Sequence, residues 1–312
     1  MKIILTILLI SFTLTSYAIS DDAGTTGFAF SKLTFSPRAA ALGYAYAGIA
    51  NDAEAVFYNP AGLYQITEKQ ISFIYTSYLM DINCGAIVYT QPVSGNSNTS
   101  FYARFLSTEE IRTEADDQGN YIGENGTFGA SDLEFGAAFA HHFSSTLNVG
   151  ANAKVIYESL DSHSATAIAF DFGLYHITTN PKLHLGLVLR NVGIQLSHFT
   201  SSEYDEQLPS AVDLGFGYRA NSRLILSVDA YKPLKSDFYG RFGAEYSVHP
   251  MMKLRMGYKT DSSDWKKGGD GEALAGISGG FAINWQNYVL NYAFLSYGDL
   301  GLVNQISISY NF

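Results

Sequence analysis

A single cysteine, Cys84, excludes an intramolecular disulfide framework and a zinc site built on thiolates. With no second thiol it reads as a small apolar residue on a strand. Charge is scarce at 15% of residues, and the excess is acidic: 29 Asp and Glu against 19 Lys and Arg, a net −10. No basic run offsets that balance, which argues against a nucleic-acid partner. After the first residues, no segment offers the roughly 20 unbroken apolar residues of a transmembrane helix. Prolines number only 7, so long stretches are free to pair as strands.

The exception is the start. Lys2 is followed by an apolar run from Ile3 to Leu14, and then by Ser16-Tyr17-Ala18. The run is too short to span a bilayer as a helix and has the length of a signal-peptide core. We therefore expect residues 1–18 to be a signal peptide cleaved after Ala18, and the mature chain to leave the cytoplasm.

What is abundant is glycine and aromatic side chains: Gly 29, Tyr 22 and Phe 21. They are spread along short alternating segments. In "DLEFGAAFA", Leu133, Phe135, Ala137 and Phe139 fall on one face and Glu134, Gly136, Ala138 and Ala140 on the other. "KLRMGYK" sets Leu254, Met256 and Tyr258 against Lys253, Arg255, Gly257 and Lys259. Cations two residues apart on a strand point the same way, and not into hydrocarbon.

From Glu68 onward the pattern predicts about fourteen strands, an even number as bacterial outer-membrane barrels require. They start at about residues 69, 82, 98, 129, 146, 165, 182, 210, 223, 238, 251, 273, 287 and 304. The long connections "STEEIRTEADDQGNYIGENG", "NVGIQLSHFTSSEYDEQLP" and "DSSDWKKGGDGE" follow odd strands, and tight links such as "RANSR" and "NWQN" follow even ones. Long outer loops and short periplasmic turns segregate in this way, placing both ends of the barrel in the periplasm. The last strand, "NQISISYNF", puts Ile306, Ile308, Tyr310 and Phe312 on one face. An alternating strand ending on an aromatic residue is the form that barrel-assembly machinery recognises, so Tyr310 and Phe312 are read as an assembly signal. The expected fold is an all-β, antiparallel transmembrane β-barrel over residues 68–312, embedded in outer-membrane lipid of a Gram-negative-type bacterium.

Residues 19–67 break the pattern. "SPRAAALGYAYAGIANDAEAVFYNPAGL", Ser36 to Leu63, is rich in small residues and scarcely alternates. Its alanines favour helix or compact coil, and Asn59-Pro60 fixes a turn before Ala61 and Gly62. A polar lumen of this size is an aqueous channel unless something fills it. We expect this segment to fill it, as a hatch.

The same stretch resembles the N-terminal signature of the PorV/PorQ family of outer-membrane proteins and, more distantly, the hatch of FadL-type long-chain fatty-acid transporters. The resemblance continues through "NVGANAKVIYESL", "LVLRNVG", "LPSAVDLGFGYR" and "NYAFLSYGDLG", and so covers nearly the whole mature chain. Two departures are Tyr44, where the family often has a second glycine, and Asn291, where Asp is common. The resemblance implies a FadL-like fourteen-stranded barrel with an N-terminal hatch, shaped by Gly43 and by Asn59, Pro60 and Ala61. It implies a scaffold or shuttle in type IX-like protein secretion and surface attachment, with secretion components or secreted cargo as partners. The alternative it leaves is passive transport of a hydrophobic ligand.

Chemistry in the classical sense is sparse. His142 and Ser144 face one way on a strand, but no Asn or Asp is evidently placed to orient the histidine. Asp116, Asp117, Asn120 and Glu124 share a loop without the spacing of a calcium hand. No cofactor, metal or enzyme activity is expected. Mixed charges fall on the inward registers: Glu134, Lys154, Asp171, Arg190, Asp213, Asp229, Arg241, Glu245, Lys253 and Arg255. We expect them to pair with one another and with the hatch rather than to form a selectivity lining.

Overall fold

A computed structural model describes residues 26–33, 35–199, 206–262, 269 and 271–312. The signal-peptide expectation, residues 1–18, lies outside the described residues. From residue 70 onward the chain forms fourteen antiparallel strands closed into one barrel. They are β1 Gln70–Ser77, β2 Asn83–Ser94, β3 Ser97–Ala115, β4 Tyr121–Ser144, β5 Leu147–Leu160, β6 His163–Ile177 and β7 Leu183–Ser197. The circuit continues with β8 Ala211–Arg219, β9 Leu224–Pro233, β10 Tyr239–His249, β11 Met252–Lys259, β12 Ile277–Trp285, β13 Tyr288–Ser296 and β14 Leu302–Asn311. Each strand pairs with its sequence neighbours, and β14 closes on β1 from Gln70↔Asn311 to Ser77↔Asn304.

The alternation sorts side chains as a barrel facing hydrocarbon requires. Leu133, Phe135 and Phe139 point out, while Glu134, Ala138 and Ala140 are buried. Across the sheet Phe73, Phe101, Phe172, Leu187, Leu254 and Ile308 are exposed, whereas Arg104, Lys154, Asp213 and Glu245 are buried. A water-soluble barrel would show the reverse. This is the inside-polar, outside-apolar arrangement of a transmembrane barrel.

Twelve of the expected strand starts fall within two residues of those observed; the exceptions are β4 and β12. Strand β4 begins at Tyr121 rather than near 129, because the expected first long loop is itself paired: Glu109↔Gly129 through Ala115↔Tyr121 extend the β3–β4 hairpin. β2 stops pairing with β3 at Ser107, and β5 stops pairing with β4 at Ala130, so the hairpin tip stands beyond the wall. Its Thr, Ile and Tyr residues suit a strand as well as a loop. The tip closes where Asp116 Oδ1 accepts from the amides of Gln118 and Asn120, both at 2.9 Å. Those bonds account for Asp116 and Asn120 as turn formers, and among the described residues no acidic, histidine or cysteine cluster is arranged to hold a metal.

Candidate functional site

Residues 35–66 pack against the inner face of the barrel. Ser36 caps a short helix, Pro37–Ala41, by accepting the amide of Ala39, and proline occupies the first helical position, where no amide is needed. Two further single turns follow, Ala53–Phe57 and Pro60–Gln65. Asn59 opens the second of these by accepting the Ala61 amide at 3.1 Å. Its Nδ2 donates to the Ala47 carbonyl at 2.9 Å and to Leu174 of the β6 wall at 3.0 Å. One buried side chain therefore ties two parts of the segment to the barrel. Ala39, Ala40, Ala41, Ala53, Ala55 and Ala61 are all fully buried.

Contact this close depends on small residues on both sides. Inward positions of the wall carry glycine where the segment touches: Gly150 and Gly173 against Pro60 and Ala61, Gly186 and Gly215 against Ala47 and Gly48, Gly243 and Gly257 against Leu42 and Gly43. A Cβ on Gly257 would lie 2.0 Å from the Gly43 amide nitrogen. Gly43 itself turns with φ +60°, and a Cβ there would lie 2.5 Å from the Tyr258 amide nitrogen. The next residue, Tyr44, also takes a left-handed φ of 66°. That backbone explains why glycine is expected after Gly43, and it costs a tyrosine about 1–2 kcal/mol.

Charge supplies the remaining ties. Glu245 on β10 receives Arg38 of the segment at 3.0 Å and Arg255 of β11 at 2.8 Å, with Lys253 at 3.6 Å. Arg38 also reaches Asp52 at 3.1 Å and Asn51. The amides of Tyr46 and Ala47 donate to Asp229 Oδ2 at 2.8 and 2.9 Å. On the far wall Lys154 pairs with Asp171 at 2.7 Å. Asp213 accepts from both Arg190 and Arg241 at 3.0 Å. Glu134 is held by Arg104 and by the Tyr102 hydroxyl. Each of the ten charges expected to face inward is thus in an ion pair or a hydrogen bond, and Lys253 is the most exposed of them.

Sequence patterning overlooked several partners. Arg104 was legible, since Phe101, Ala103 and Phe105 alternate with Tyr102 and Arg104. Arg38, Asp52 and Glu54 were not, because the segment that holds them has no period. Glu54 is buried, and Ser36 donates to it at 2.6 Å. Burial, reinforced by neighbouring Asp52, pushes its carboxyl up to about 7.

At the other end of the wall the expectation about His142 needs correction. Asn148 Oδ1 lies 2.7 Å from His142 Nδ1, and Tyr64 stacks on the ring at 4.7 Å. β4 and β5 pair directly there, which sequence spacing could not show. The Ser144 hydroxyl instead accepts the Thr146 amide, so the serine belongs to the turn. Asn291, the second departure, accepts from Arg255 at 2.9 Å. Tyr310 packs on Tyr288 at 4.9 Å and on Phe312 at 5.1 Å, and the Phe312 amide donates to the Lys69 carbonyl across the closing seam.

The wall is irregular beside the segment at Arg190 and Asn191. Between Phe170↔Val192 and Phe172↔Leu189, β7 carries two residues, Arg190 and Asn191, against one on β6. Asn191 has φ 53°, and its amide donates to Asp171 at 2.7 Å. Pairing of β7 with β8 ends at this bulge, at Arg190↔Ala211. Beyond it Ser210 and Pro209 contact Asn191 as irregular chain. Arg190 also donates to the Phe57 carbonyl at 3.0 Å, so the bulge and the segment touch. Above the segment lie two small cavities, of about 60 and 30 Å³, which share Lys32, Leu33 and Arg241 in their walls.

Solved structures share this architecture at low sequence identity. The Ralstonia pickettii toluene transporter TbuX superposes with a TM-score of 0.63 at 14% identity, over 89% of this chain and 98% of that one. The Pseudomonas putida toluene transporter TodX gives 0.62 at 12% identity over the same shares. A Pseudomonas aeruginosa FadL homologue gives 0.59 at 12% identity, covering 90% of this chain and 99% of its own. The fold is therefore FadL-like. In sequence, a UPF0164 protein of Treponema pallidum is 22% identical over 208 residues, 62% of this chain. The match spans 48% of that relative's length. Residues 22–256 match the model of an uncharacterised protein family, and on that span the chain belongs to UPF0164.

Proposed function

We propose that the protein is a passive outer-membrane transporter of small hydrophobic molecules, with its N-terminal segment as the hatch. The observation that carries this reading is the bulge at Arg190–Asn191. There the regular wall between β7 and β8 ends, and Arg190 holds the segment at the same point. A bulge re-aims side chains and ends pairing, and the wall is taken to part here. Solute entering at the loop end meets the segment and leaves sideways at the bulge, into lipid. In this reading the long loops face outward and both ends of the barrel face the periplasm. The FadL-like neighbours, two of them toluene transporters, support it by fold.

The test is complementation. In a Gram-negative host deleted for its own hydrocarbon channel, this barrel should restore uptake of a monoaromatic hydrocarbon. Uptake equal to that of the empty host would overturn the proposal.

A second reading, a PorV/PorQ-type scaffold or shuttle in type IX-like secretion, is favoured by a different observation. The β3–β4 hairpin stands clear of the wall with exposed Ile111, Tyr121 and Ile122 and the acidic residues Glu109, Glu110, Glu114 and Asp117. Such a projection stands beyond the wall and suits a protein partner. Stoichiometric co-purification of secretion components that depends on the hairpin would favour this second reading.

A further inference from the structure

We propose that the larger lumen cavity is a binding site for a small monocarboxylate with a flat apolar body, an inference that rests on the transport reading and narrows its substrate class. The cavity lies between the N-terminal segment and the loop-end halves of β1, β10 and β11. Its wall carries three cations, Lys32, Arg241 and Lys259, and no carboxylate.

Four phenols, Tyr44, Tyr78, Tyr239 and Tyr297, join Thr76 and Gln305 in the polar part, while Leu33, Phe35 and Cys84 supply apolar surface. Hydroxyls that can donate, set among cations, suit an anion. Ring faces beside them suit a flat apolar body.

The positive charge is only partly cancelled. Lys259 pairs with Asp261 at 3.1 Å, outside the cavity wall. Arg241 shares one carboxylate, Asp213, with Arg190. Asp213 thus serves two guanidinium groups, and Asp229 stands across the strand from Arg241. Lys32, at the mouth, donates to the Thr26 hydroxyl, a neutral partner.

A second, independent observation concerns unmet donors. Thr76 is 2% exposed, and among the described residues its Oγ1 has no hydrogen-bond partner. Arg241 Nε is likewise buried without one. Both residues line this cavity. A buried donor without a partner is unfavourable, and a ligand acceptor at this cavity would satisfy it.

The cations are held in place rather than left to swing. The Arg241 guanidinium sits 3.8 Å from the Tyr231 ring centroid, and Lys259 Nζ sits 5.2 Å from that of Tyr44. Pre-positioned groups of this kind bind at a smaller entropic cost.

Size sets the upper limit. A cavity of about 60 Å³ has room for roughly four to six waters, at about 10–15 Å³ of such space per water. That is the displacement of a small monocarboxylate. A long acyl chain does not fit.

The test uses the full-length barrel in neutral detergent, with benzoate as the probe and benzyl alcohol as its uncharged counterpart. Calorimetric titration should show benzoate binding at least tenfold more tightly. Thr76→Val and Lys259→Gln should each weaken benzoate at least fivefold, while Lys69→Gln, at the opposite end of the barrel, should leave it unchanged. Equal affinity for the two probes overturns the proposal, and it does so on the unmodified protein even where a variant fails to assemble. The two readings fail separately. Hydrocarbon uptake without benzoate binding removes the anion site and leaves transport standing. Benzoate binding at the variant-sensitive site, with no compound crossing, supports the site and removes transport.

Discussion

Arg38 donates its Nε to Glu245 at 3.0 Å although 207 residues separate the two in the chain. The arginine belongs to the segment inside the lumen and the glutamate to the wall, so this pair anchors one to the other. Arg38→Ala should cost stability near the lower end of the ~3–5 kcal/mol typical of a broken buried pair, because Glu245 keeps Arg255 and Lys253. The barrel should still assemble and show heat-modifiable migration. Single-channel conductance in planar bilayers should rise; a conductance equal to that of the unmodified protein would remove the anchoring role.

Asn59 offers a sharper handle. Asn59→Ala strands the Ala47 carbonyl and the Ala61 amide in a buried setting, at about 1–3 kcal/mol each. Combined with Pro60→Ala, it should loosen the segment while the strands stay paired. Protease cleavage within residues 36–66 should become detectable. Continued full resistance would show that the turn is not what holds the segment.

Gly43→Ala combines two penalties. The backbone φ of +60° disfavours any side chain, and the new Cβ would lie 2.5 Å from the Tyr258 amide nitrogen. The expected outcome is a fall in melting temperature larger than that of Gly95→Ala, a turn position where a Cβ meets nothing within 4 Å. Equal melting temperatures would mean that the segment can retreat from the wall without loss.

Glu54 predicts a pH dependence. Its carboxyl is raised to about 7 in the folded protein, against about 4.5 when unfolded. Between those values the folded state holds the extra proton, so stability falls as pH rises through this window. The contribution is complete below about pH 4.5 and lost above about pH 7. Thermal melting of Glu54→Gln, compared with the unmodified protein, should lack that slope; parallel profiles would assign it elsewhere.

Replacing residues 109–126 by a short Gly-Ser turn should leave melting and lumen properties unchanged. In this hairpin tip β3 and β4 pair only with each other. A large fall in stability would show that the tip supports the wall.

The amino-acid sequence by itself determined the barrel. A period of two along Asp132–Ala140 or Met252–Lys259 admits one solution when one face is apolar and the other charged, and fourteen such segments with short and long links in turn leave little choice of topology. It also marked Ser36–Leu63 as foreign to the wall, because a run of small residues without alternation cannot be a strand of this kind. Inward placement of Arg104 could be read from the same period. The pairing of Arg38 with Glu245, the union of His142 with Asn148 and the alignment of Gly257 under Gly43 could not. Each depends on how an aperiodic segment threads the lumen or on a register between strands, and neither is encoded in spacing. The cavity at Thr76, Arg241 and Lys259 belongs to the same class. It draws its wall from residues more than two hundred positions apart, so only closure of the sheet around the segment brings its donors together.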